Sequence, residues 1–138
     1  MQDKIQACLK HARQARSRGD RAAALEHLRA ALVIDPAQIS LKVEIAAVLR
    51  ELGQLDEAEA ALQEIIAQAP QHFGTLAELG RVARKRGDRA AALNRLQAAA
   101  ALDFANLPVR LEIAAVLREL GQLDEAEAAL QEIIAQAP

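Results

Sequence analysis

One thiol and three imidazoles are the side chains of this 138-residue chain best suited to covalent or acid–base chemistry: Cys8, His11, His27 and His72. Cys8 and His11 are one helical turn apart, a spacing at which an imidazole could take the thiol proton and leave a nucleophilic thiolate. Cys8, though, falls where the repeat described below places packing residues. It is therefore expected to be a small buried hydrophobe, with His11 at an exposed end. No HExxH, no second cysteine and no glycine-rich loop bearing Lys and Ser or Thr occurs, so neither a metal nor a nucleotide has a ligand set. The chain is expected not to be an enzyme and to carry no cofactor and no metal.

A second group of residues suits recognition better than catalysis. Arg16, Arg50, Arg84 and Arg118 follow one another at a step of 34 residues. A guanidinium grips a carboxylate with two parallel N–H donors, so a row of them would suit an extended acidic peptide or a C-terminal carboxylate. The competing expectation is that these arginines are solvated, or paired with Glu51, Glu119 or glutamates of the adjoining repeat.

The elements that must position them share the same step. Gly19, Gly53, Gly87 and Gly121 are 34 residues apart, with Ala24, Ala58, Ala92 and Ala126 and then Leu28, Leu62, Leu96 and Leu130 in the same phase. Ala12, Ala46, Gly80 and Ala114 put a small residue before each of those glycines. Between Ile39 and Leu52 the apolar residues Leu41, Ile45, Val48, Leu49 and Leu52 have the spacing of an amphipathic helix, and Leu55, Ala58, Leu62, Ile65 and Ile66 repeat it after Gly53. Each period is thus a helix pair, with Gly at the left-handed turn and Asp20 and Asp88 as N-caps. Pro36, Pro70 and Pro138 close three units and Phe104 the third, while Pro108 starts the last unit's first helix. A pair this short cannot cover its own apolar face and must stack on its neighbours.

This pattern resembles the tetratricopeptide repeat (TPR) family, most clearly in the third unit at Leu76, Leu79, Gly80, Ala83, Gly87, Ala92, Leu96 and Ala99. The resemblance implies an all-α fold, an α-α superhelix (solenoid) of four 34-residue helix-turn-helix units at 5–38, 39–72, 73–106 and 107–138 within one domain, 1–138. It also implies a concave groove lined by the first helix of each unit and commonly used to hold a peptide. The family's aromatic at the fourth position is here Cys8, Lys42, Leu76 and Arg110, and Phe104 stands where Pro is usual. Its carboxylate clamp for chaperone tails requires Lys and Asn at places that hold Leu9, Arg13, Glu44, Gly74 and Glu78, so that activity is not expected.

On the family's pattern the groove takes Arg13, Arg16, Arg50, Arg81, Arg84, Lys85 and Arg118. Its twenty positions sum to +5, or to +3 when the adjoining sixth positions with Lys10, Glu44, Glu78 and Glu112 are counted, against −2 for the whole chain. A locally basic groove facing an acidic peptide or protein is therefore expected. The overall acidic balance gives no reason to expect nucleic acid, and no apolar run approaches the ~20 residues needed to cross a bilayer. With one Cys and no signal-peptide core, a soluble cytoplasmic protein is expected. Only 1% of residues are aromatic and 33 are Ala, a composition for closely packed helices rather than a β-sandwich. Phe104 is expected either to pack between units or to act as an exposed anchor.

Residues 44–70 recur without change at 112–138, and GDRAAAL is shared at 19–25 and 87–93, so the chain consists of two copies of a two-repeat block. Tandem duplication or deliberate construction would both produce this. The first helix has His11 and Arg18 where Ile45 and Leu52 stand in the second unit, which looks like a finished end. Leu123, Leu130, Ile133 and Ile134 in the last helix lack a following repeat, so this face is expected to be covered by more of a longer array or by self-association. The second expectation for function is accordingly a duplicated or engineered array with a structural, self-assembling role and no ligand.

Overall fold

A computed structural model describes residues 2–136. Pro138, the expected close of the fourth unit, lies outside the described residues. Eight α-helices and no strands are found among them: α1 (Gln2–Ser17), α2 (Arg21–Ile34), α3 (Ile39–Glu51), α4 (Leu55–Gln68), α5 (Phe73–Arg86), α6 (Arg89–Leu102), α7 (Leu107–Glu119) and α8 (Leu123–Gln136). The chain divides into two compact units, 1–67 and 68–138. In the first, α1 packs on α2 and α2 on α3; in the second, α5 packs on α6, α6 on α7 and α7 on α8.

The turns inside the helix pairs follow the expected chemistry. Gly19, Gly53, Gly87 and Gly121 have φ of +79°, +83°, +89° and +82°. After α3 the chain reverses through Gly53, whose N–H donates to Arg50 O at 3.0 Å, while Gln54 N–H donates to Leu49 O at 2.9 Å. That six-to-one closure needs the left-handed residue, which costs Gly nothing and would strain any side chain. Asp20 and Asp88 then accept from Ala23 N–H and Ala91 N–H at 3.1 and 3.2 Å, holding the first turns of α2 and α6. Asn106 does the same for α7 through Val109 N–H at 3.1 Å, which leaves Pro108 in the first turn, where a missing donor does no harm.

Small residues let the paired helices close up. Ala24, Ala58, Ala92 and Ala126 are all buried, as are Leu28, Leu62 and Leu96. At Gly80 on α5 the helices leave no room for a side chain: an added Cβ would lie 2.8 Å from Leu96 Cγ and 3.3 Å from Ala92 O on α6. In the first unit the core combines Ile5, Ala12 and Ala15 of α1 with Leu25, Leu28 and Ala31 of α2 and Leu41, Val48 and Leu49 of α3. The second unit's core is built the same way from Leu76, Val82, Leu96, Val109, Val116 and Leu117. Interiors packed at crystal density do not absorb added carbons, and overpacking costs roughly 1–3 kcal/mol. Ala58→Leu should therefore lower the unfolding free energy by that margin, read as a lower urea midpoint at an unchanged slope; an unchanged midpoint would show that this Cβ has open space beside it.

Candidate functional site

At the N-terminal end no hydrogen bond joins Cys8 to His11 among the described residues. Cys8 is half-buried, and the ring nearest His11 is that of His27 on α2, with centroids 5.3 Å apart. His72 plays a structural part. Its Nδ1 accepts from Thr75 N–H at 3.2 Å and lies 2.9 Å from Thr75 Oγ1, so it caps α5. Among the described residues no cluster of three or more His, Cys, Asp or Glu side chains could hold a metal. No helix among them is long and apolar enough to cross a membrane.

Two arginines of the repeating step, Arg16 and Arg84, are held by carboxylates of the following helix pair. In the first unit Arg16, at the end of α1, donates through Nε (3.1 Å) and through Nη2 to Glu51 Oε1 on α3. Arg21, two residues past Gly19, donates to Glu51 Oε2 at 3.0 Å. One carboxylate thus ties the first helix pair to the second. The second unit repeats the device, with Arg84 Nε donating to Glu119 Oε1 at 2.7 Å and Arg89 Nε 3.9 Å from Glu119 Oε2. Both glutamates are partners that the sequence suggests, whereas the parts played by Arg21 and Arg89 emerge only from the structure. Their signal is the GDR that opens the shared GDRAAAL segment, where the capping role of the Asp masks it.

One turn earlier the two units differ. Arg81 on α5 is half-buried and donates Nη1 to Glu78 Oε1 at 2.8 Å, and Nε and Nη2 to Glu112 on α7 at 2.8 to 3.2 Å. The hydrogen bonds to Glu112, acting against burial and joined by those to Glu78, raise its affinity for its proton further still. Arg13 holds the equivalent place on α1. There Lys10 replaces Glu78, both Lys10 and Arg13 are exposed, and no carboxylate among the described residues pairs with either. Of the other groove candidates, Arg50 is half-buried on α3, Lys85 is exposed on α5 and Arg118 is exposed on α7. On α8, Leu123, Leu130 and Ile134 are 61%, 41% and 72% exposed and Ile133 is half-buried.

The second unit also holds a cleft of about 330 Å³ between α6, α7 and α8, lined by Ala100, Ala101, Phe104, Arg110, Ile113 and Ile133, with Glu132 on the α8 wall. Phe104 stands at the rim, 57% exposed. The Arg110 guanidinium lies over its ring at 4.5 Å and donates to Gln136 Oε1 at 2.7 Å.

Glu51 carries a pH signature. Burial pushes its carboxyl up, but the hydrogen bonds from Arg16 and Arg21, with the charges of Arg16 and Arg50, outweigh burial and hold it below its ordinary value of 4.5. A group whose folded pKa is depressed contributes stability above its unfolded pKa and loses that contribution as the pH falls through the folded value. Glu51→Gln should be less stable than the parent at pH 7, and the gap should shrink progressively below about pH 4.5. Parallel denaturation series that keep a constant gap down to pH 2.5 would refute the linkage.

Comparisons with known proteins agree with this geometry. The family model described as tetratricopeptide repeat matches residues 15–79 and 83–138. The crystal structure of TTC0263, a thermophilic TPR protein in Thermus thermophilus, superposes with a TM-score of 0.82 at 25% identity, covering 95% of this chain and 73% of that one. MamA 41-end from Desulfovibrio magneticus RS-1 gives 0.77 at 16% identity, covering 95% and 74%. The first TPR of Spaghetti (RPAP3), bound to the HSP90 peptide SRMEEVD, gives 0.72 at 14% identity, covering 86% and 94%. No curated protein matches the chain. Members of this family are generally non-catalytic scaffolds for protein–protein interaction. With the glycine-phased helix pairs and a family match over most of its length, the chain belongs to the tetratricopeptide repeat family, an all-α fold of the superhelical helix-turn-helix class.

Proposed function

We propose that the chain is a non-catalytic scaffold whose first-helix face forms a locally basic groove for an acidic peptide segment of a partner, with Lys10 and Arg13 of α1 as its main receptors. The carrying observation is the contrast between the two units at one place. Arg81 is occupied by Glu78 and Glu112, whereas Lys10 and Arg13 are exposed and unpaired among the described residues. Arg16 lies one turn further along α1, fixed by Glu51, and gives the patch a rigid edge. Exposed, unneutralised cations one turn apart draw an anionic chain by long-range attraction and discriminate against a basic one. A neighbour of the same fold holds SRMEEVD, a peptide with an acidic tail. This supports an acidic segment as the class of ligand, without the family's chaperone-tail clamp, whose side chains are replaced here.

A second reading, self-assembly, is favoured by the exposure of Leu123, Leu130 and Ile134 on α8. Water-facing apolar groups in a row gain by covering one another, at roughly 25 cal/mol per Å². On that reading sedimentation would show concentration-dependent association abolished by Ile134→Lys. On the scaffold reading a fluorescent peptide of alternating Glu and Ser should bind more weakly as salt rises from 50 to 300 mM. Lys10→Glu with Arg13→Glu should cost at least tenfold in affinity, while Arg29→Glu on α2 should leave it unchanged. Equal affinity in the double variant would overturn the proposal.

A further inference from the structure

We propose that the cleft between α6, α7 and α8 is a second, independent recognition site, which takes a large apolar side chain of a partner peptide flanked by a carboxylate that meets Arg110. The inference begins with where the two near-copies depart from each other. At the 68-residue shift, Ile113 and Ile133 of the cleft correspond to Ile45 and Ile65, but Ala100 corresponds to Leu32, Phe104 to Pro36 and Arg110 to Lys42. An isobutyl group becomes a methyl, which opens the wall of α6. A proline becomes the more exposed of the chain's two phenylalanines, and an ammonium becomes a planar guanidinium that stacks on it. The substitutions that distinguish this corner thus remove a plug and add a rim.

The rim is not explained by packing alone. An aromatic ring recruited for the core would be buried, yet Phe104 is 57% exposed beside an apolar cavity of about 330 Å³. That volume is at the lower end of the roughly 300–1,000 Å³ typical of ligand sites, enough for a single bulky side chain. Stacking on Phe104 and the bond to Gln136 Oε1 fix the guanidinium in place. A pre-positioned fork of donors beside an aromatic anchor is a receptor for a carboxylate next to an apolar group. Glu132 on the α8 wall provides an acceptor, complementary to the backbone N–H groups of an extended segment and unfavourable to a second acid. The charge arrangement therefore selects a segment with one acid beside one large apolar residue, not an acidic run such as would suit the α1 face.

The test is a methyl and arginine-Nε NMR titration of the full chain with acetyl-Gly-Ser-Phe-Asp-Ser-Gly amide, alongside forms carrying Ala for Phe and Asn for Asp. The parent peptide should shift Ala100, Ala101, Ile113 and Arg110 signals, and each altered peptide should bind at least fivefold more weakly. Ala100→Leu, which restores the residue of the first unit, should keep or raise the thermal midpoint while weakening binding tenfold or more. Phe104→Pro, at an exposed place where Pro36 is native to the other copy, should do the same if the buried substitution disturbs folding. Shifts confined to α1, equal binding by Phe104→Pro, or cleft signals that move with protein concentration in the absence of peptide would overturn the proposal; the last would identify a second copy of this chain as the occupant.

Discussion

Two helices of 13 to 16 residues joined by a short turn cannot bury both of their apolar stripes on each other. That shortfall organises both units. Each pair exposes a face that the next pair must cover, so α2 packs on α3 and α6 on α7. The step of 34 residues is the physical consequence, since neighbours can mesh only if every pair has its turn and its small residues in the same phase. The four left-handed glycines set that phase, and the buried alanines five residues later set how closely the helices approach.

On this frame charge is arranged at two levels. Glu51 and Glu119 each draw two arginines from the preceding pair across to the following one, so these ion pairs connect repeats and commit Nε and Nη2 of Arg16 and Nε of Arg84. One turn earlier the units part company over a single substitution, Lys10 against Glu78. In the second unit the carboxylates neutralise Arg81, and in the first the positive charge stays open to solvent. That is a break in the regularity of the repeats. The cleft beside Phe104 is a second break of this kind.

The fold is legible in the sequence because its determinants are local and periodic. Gly53, Asp20, Asp88 and Pro108 act through backbone conformation or bonds within one turn, and each stands in the role its residue type dictates. The pairing of Arg16 with Glu51 is visible there only as an alternative, since groove placement and pairing use the same side chains and differ only in rotamer. Arg21 and Arg89 give no such sign, because their partners are 30 residues away and capping already accounts for their segment. By residue type His72 belongs with possible catalytic groups, but its bond to Thr75 N–H reveals a cap, a role more often filled by Ser, Thr, Asp or Asn. Of the two roles open to Phe104, burial between units is not what the structure has: the ring is 57% exposed with Arg110 over it. Its cavity depends on a methyl at Ala100, which cannot be recognised until the opposing wall is known.

The dependence of one helix pair on the next is tested most directly by amide hydrogen exchange in a Leu28→Ala variant. Leu28 is buried on α2, and losing its side chain should cost about 2–5 kcal/mol. If stacking holds α3 in place, the slowest amides of α3 should lose protection together with those of α1 and α2, although no residue of α3 has changed. Protection of α3 at the parent level, with loss confined to α1 and α2, would show that the second pair stands by itself and that neighbour burial is not what holds this chain together.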